Sequence, residues 1–283
     1  MFEQRDALIR LLRDDDPSTV DLIKEQLTTS GPAILGDLRD LLEIDDQKVS
    51  FHVSEIILQI EKLQAATNFG AFCRNFTEND SLEEASWLLA RAIIPGFDAR
   101  AYKARIDSWG RQITLLIESA ISDRERVEIL SKFMSENLSF RGNADDYYNP
   151  RNSILPTVID TRSGIPITLS LLYMLVAERA GMLVEGVNLP GHFIVRHREV
   201  FFDPFHQGKI LSLADCREIL DRQNLEIEAD HFVTATRHQI LVRMLANLLF
   251  IYERQKDAEL QALILNWLGA LDRKPGTKFL GAE

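Results

Sequence analysis

Apolar positions recur at helical spacing through the first 66 residues and predict four helices. Phe2–Arg13 carries Phe2, Leu8, Ile9, Leu11 and Leu12. Thr19–Thr28 carries Val20, Leu22, Ile23 and Leu27. Ala33–Leu42 opens behind Ser30-Gly31-Pro32, with proline in the first turn, where its missing N–H costs little. Ser50–Ala66 carries Val53, Ile56, Ile57, Ile60 and Leu63.

The stretches "LLRDDDPSTV" at Leu11 and "LLEIDDQKV" at Leu41 echo one another 30 residues apart. Helix pairs repeating at about this length stack into solenoids, and the segment resembles HEAT-type helical repeats. In "NFGAFCRNFTEND" polar residues interrupt the aromatics, so a boundary is expected near Asn68. Ser81 with Glu84 makes a capping box for a helix over Leu82–Ala92, which Pro95-Gly96 breaks. Arg100–Ala120 reads as a longer amphipathic helix. Ser122 with Glu125 caps another over Asp123–Glu136.

The texture changes at "RGNADDYYNPRNSILPTVIDTRSGIP", where glycine, proline and asparagine cluster and a looped path is expected. "IPITLSLLYMLVAERAG" follows, apolar on nearly every face to Ala177, as befits a helix buried in a domain centre. Two short strands, His192–Arg196 and Val200–Asp203, come next, then a helix over Leu213–Leu220 with Ser212 and Asp215 as cap signals. "HQILVRMLANLLFIYERQ" and "DAELQALILNWLGAL" predict a closing helical hairpin, and "KPGTKFLGAE" a loose tail.

Composition narrows the function classes. Thirty-two Lys and Arg against 43 Asp and Glu leave a net charge of −11. That balance argues against a nucleic-acid or anionic-membrane surface, both of which need a dense basic face. There is no apolar run of about 18 residues to span a bilayer. The start "MFEQRDALIRLLRDDD" lacks a secretory apolar region. Cys73 and Cys216 lie far apart and match no metal spacing, so a cytoplasmic protein with free thiols is expected.

The candidate chemistry lies in "GVNLPGHFIVRHREVFFDPF". If His197 faces Val200 across a turn at Arg198-Glu199, Ile194 lies opposite Asp203, and His192 shares their face. His192 and Asp203 are then diagonal neighbours within side-chain reach. Asp203 would fix the imidazole tautomer and aim its other nitrogen at a partner. A plain structural hydrogen-bonded pair uses the same two residues. His192, Asp203 and His206 also offer mixed nitrogen and oxygen donors for a metal. His206 is not expected on the face of Asp203, however, so the hydrogen-bonded pair is favoured and no cofactor is implied.

The order "SGIPITLSLLY", "LPGHF", "DPF", within Tyr147–Leu211, resembles the transglutaminase-like superfamily, and within it the bacterial SirB-like branch. The resemblance implies an α+β fold, predominantly helical. HEAT-like repeats over residues 1–68 would precede a papain/transglutaminase-like core with leading helices over 69–230, its buried helix against a small antiparallel sheet. A helical hairpin and tail would fill 231–283. It also implies a Cys-His-Asp triad, with the cysteine two residues past a glycine at the start of the buried helix. His192 and Asp203 match the last two members and Gly164 matches the glycine, but Pro166 stands at the cysteine position. Proline has neither a nucleophilic atom nor an N–H for an oxyanion.

Ser170 lies one turn deeper on that helix, so it could hydrogen-bond toward His192, but a helical serine more often bonds back to the carbonyl four residues earlier. Cys73 would have to reach in from a loop. Tyr147 and Tyr148 are expected on the site's wall, Asn152 to satisfy loop backbone, and Arg162 to pair with Asp160 or another acid. The expected function is a non-catalytic, protein-binding or regulatory module. The alternative is a hydrolase or acyl transferase using His192, Asp203 and Ser170 or a thiol delivered from elsewhere.

Overall fold

The computed structural model describes residues 5–272 apart from Pro95, Phe97 and positions 222–223 and 226–227. The helix start at Phe2, the break at Pro95 and the tail from 274 lie outside the described residues. The chain divides into two compact units: residues up to 69 with 88–97, and residues 70–87 with those from 98 on.

In the first unit, α1 (Arg5–Leu12), α2 (Pro17–Ser30), α3 (Leu35–Leu42) and the greater part of α4 (Gln47–Asn75) follow the predicted periodicity. Asp16 caps α2 by accepting from the Ser18 N–H at 3.2 Å. Leu8, Leu12, Leu38, Leu41, Val53, Ile56 and Ile60 form the core of this unit. α4 runs on past its predicted end at Ala66, while the two units divide beside the expected boundary, after Phe69. Phe69, Cys73 and Phe76 are buried at helical spacing, and the polar residues between them mark the outer face.

Next come α5 (Leu82–Ile93), α6 (Ala99–Ile117) and α7 (Asp123–Lys132), the last continued by a π turn over Phe133–Asn137. The Ser122 hydroxyl accepts from the Glu125 N–H at 3.2 Å, as the capping signal predicts. A short strand β1 (Arg141–Gly142) then pairs in parallel with β2 (Ser163–Gly164), with α8 (Leu155–Thr161) between them. The central helix α9 (Pro166–Arg179) is buried on every side from Pro166 to Tyr173. It packs on α6 where Gly110 lies against Arg179, leaving no room for a Cβ.

Strands β3 (Glu185–Val187), β4 (Ile194–His197), β5 (Val200–Asp203) and β6 (Lys209–Ile210) form an antiparallel sheet in that order. His197 pairs with Val200 and Val195 with Phe202, the register the two-residue turn predicts. β4 begins at Ile194 rather than His192, because the chain is still turning there. The His192 N–H closes on the Leu189 carbonyl at 3.1 Å, with Gly191 at φ 70°. Glycine supplies that positive φ without strain, behind Pro190 at the preceding turn position.

α10 (Leu213–Asp221) has its predicted cap, with Ser212 and Asp215 bonding each other's backbone N–H groups. α11 (Arg237–Gln255) and α12 (Ala258–Asp272) close the second unit as a hairpin, the start of one reaching the end of the other through His238 and Leu271. The protein is therefore a predominantly helical α+β fold, its small antiparallel sheet beside a buried helix. Among the described residues no helix is long and apolar enough to cross a membrane.

Candidate functional site

Asp203 ends β5 with 1% of its surface exposed. Its Oδ1 accepts from the backbone N–H groups of Phe205 (2.9 Å) and His206 (3.4 Å), capping a short 3₁₀ turn over Pro204–His206. Its Oδ2 lies 2.7 Å from His192 Nε2 and 2.6 Å from His206 Nδ1. An ionised carboxylate only accepts, so both rings donate N–H to it. Burial alone would push the Asp203 carboxyl up; the hydrogen bonds from His192 and His206 outweigh it and hold the group well below the usual carboxylate range.

His206 is where the sequence reading fails. A 3₁₀ turn has three residues per turn, so positions i and i+3 eclipse, and His206 returns to the face of Asp203. The signal was present in Pro204, which favours a tight turn directly after the strand.

The His192 ring is nearly buried, and Phe205 stands edge-on to it at 6.1 Å between centroids. Gly142 lets that ring in: a Cβ there would lie 2.6 Å from Phe205. With Nε2 held by Asp203, His192 Nδ1 is the nitrogen free to accept a proton. Among the described residues, no hydroxyl or thiol hydrogen-bonds to it.

The expected nucleophile candidates lie as follows. Pro166 is the first residue of α9. Ser170 is fully buried, and its hydroxyl bonds neither His192 nor the carbonyl one turn back. Cys73 is on α4, not a loop, and burial pushes its thiol up to about 12. Cys216 is on α10, where burial also raises the thiol. Both cysteines are free, and neither is activated in the manner of a catalytic thiolate.

Around the pair, Tyr147 packs on Phe205 at 6.0 Å and on Tyr148 at 5.3 Å. Tyr148 continues to Phe250 at 5.7 Å, and Arg254 lies 4.5 Å over its ring. Tyr148 and Phe250 are 46% and 47% exposed, an aromatic rim that the sequence reading reached only as far as the tyrosines. Asn152 has the expected structural role, donating to the carbonyls of Asp146 and Tyr147 and accepting from Asn143. Arg162 does not pair with Asp160. It ends α8 in the left-handed conformation and stacks over Phe140 and Trp109, while Asp160 takes Arg105 and Tyr102.

Residues 100–246 match the family model of the transglutaminase-like superfamily. This chain belongs to the transglutaminase-like superfamily. It is similar to a UPF0162 protein of Pseudomonas aeruginosa, 31% identical over 70% of this chain and 76% of that one. A UPF0162 protein of Xylella fastidiosa (strain 9a5c) is 32% identical over 60% of this chain and 64% of its own. The chain thus spans somewhat under two thirds of that relative's length. Human F-box only protein 21 is 29% identical over 62% of this chain and 28% of its own length. No solved structure matches. The matched superfamily region includes α9, the sheet, His192, Asp203 and His206.

Proposed function

We propose that this protein uses the transglutaminase-like fold without thiol chemistry, as a binding or regulatory module for a protein partner. One observation carries the reading: the His192 ring meets Asp203, Phe205 and His206, and no hydroxyl or thiol hydrogen-bonds to it among the described residues. Pro166 at the cysteine position and two buried, unactivated thiols support it further.

The rim of Tyr148, Phe250 and Arg254 supports a protein segment as the ligand. Tyrosine and arginine are over-represented among residues that dominate protein interfaces, and here they are exposed and mutually stacked. The helix pairs of the first unit, read as HEAT-like, offer a second surface of the kind solenoids use for proteins. The two free cysteines support a reducing, cytoplasmic setting.

The orphan hydroxyl of Ser170 favours the second reading, a hydrolase or acyl transferase with His192 as base and Asp203 as its orienter. Turnover of peptide, amide and ester substrates separates the two. The first reading expects no turnover that changes in His192→Ala or Asp203→Asn. Turnover abolished by both substitutions would establish the second.

A further inference from the structure

We propose that His192, Asp203 and His206 bind a divalent transition-metal ion of the zinc, cobalt or nickel type. These three residues belong to the site described above, but the proposal needs neither a protein partner nor the absence of a nucleophile.

Two imidazole nitrogens and a carboxylate converge from two separate turns, and their donor atoms all lie within 4.8 Å of one another. Ligands bound at roughly 2.0–2.2 Å around one ion stand about 3 Å or more apart. The two N···O separations here are 2.7 and 2.6 Å and must open by a few tenths of an ångström, while the ring nitrogens, within 4.8 Å of each other, must close to no more than about 4 Å, a movement the exposed His206 ring can supply. Protons balance without further groups. Each neutral imidazole moves its single proton to its other nitrogen, Nδ1 of His192 and Nε2 of His206, and the freed lone pairs face the ion.

The surroundings are those of a prepared ligand set. Asp203 Oδ1 is held by two backbone N–H groups, which fixes the carboxylate plane from the far side. The Leu189–His192 turn sets one ring and the 3₁₀ turn sets the other. The His206 side chain is 59% exposed while Asp203 is buried, so an ion has an entry path and keeps coordination positions open to solvent. A donor set of two nitrogens and one oxygen suits zinc, cobalt, nickel or copper. Calcium and magnesium prefer all-oxygen shells.

The test is calorimetric titration of Zn²⁺ into the chelator-treated full chain, with Co²⁺ absorption spectra alongside. The expected result is one ion per chain, undisturbed by excess Mg²⁺ or Ca²⁺, with visible Co²⁺ bands of nitrogen ligation. His206→Gln, at an exposed position that does not threaten folding, should weaken binding by on the order of tenfold or more. His192→Gln should do the same. The absence of stoichiometric Zn²⁺ binding overturns the proposal, as does binding that both variants leave unchanged. A protein that binds Zn²⁺ and also shows His192-dependent turnover sinks the non-catalytic reading alone. One that does neither sinks the metal site alone.

Discussion

Asp203 is the residue on which the site is built. One buried carboxylate receives four N–H donors, two from rings and two from its own turn. Such a group stabilises only while ionised, and its folded pKa lies below the unfolded value. The unfolded chain therefore takes up the proton first. The contribution of Asp203 is complete above the ordinary carboxylate range, about pH 4–5, and is lost as pH falls through that range toward the depressed folded value. Asp203→Asn should cost about 2–3 kcal/mol at neutral pH, because two ring N–H groups lose a charged acceptor in a buried setting. Urea denaturation followed from pH 7 to pH 3 should show this loss at neutral pH and a shallower acid decline in the variant. An unchanged acid limb would mean that other carboxylates carry it.

At the scale of elements, the site depends on α9, which is gripped by α6. Gly110 brings the two helices together, and Arg179 then spans to Glu83 at 2.6 Å and Asp107 at 3.0 Å. Gly110→Ala would drive a methyl into the Arg179 side chain. Despite the better helix propensity of alanine, the expected effect is a loss of about 1–3 kcal/mol, measured as a lower denaturation midpoint. α9 was legible in the sequence because a helix apolar on all sides has only one place to go. The β4–β5 register was legible because a two-residue turn and strict alternation leave no slack. The end of α4 was not: its aromatics keep helical spacing through Phe76, yet only tertiary burial makes that outweigh the intervening polar residues. Nor was His206, whose position depends on three residues per turn rather than on strand alternation. Arg162 shows the same limit. Closeness to Asp160 in sequence suggests an ion pair, but a left-handed cap turns the guanidinium onto aromatic faces.

On the scale of the whole molecule, an acidic chain carries a transglutaminase-like core in which His192, Asp203 and His206 meet and Pro166 opens the buried helix. In F-box only protein 21 the matching region is 28% of the length, so there it is one part of a larger chain. For this chain the central question is whether any nucleophile works with His192. The most direct measurement is mass-spectrometric mapping of the native protein after exposure to acylating and thiol-alkylating active-site probes, beside His192→Ala. The account predicts no labelled residue whose modification depends on His192. A single adduct on Ser170, Cys73 or any other side chain, present in the native protein and lost in His192→Ala, would contradict it.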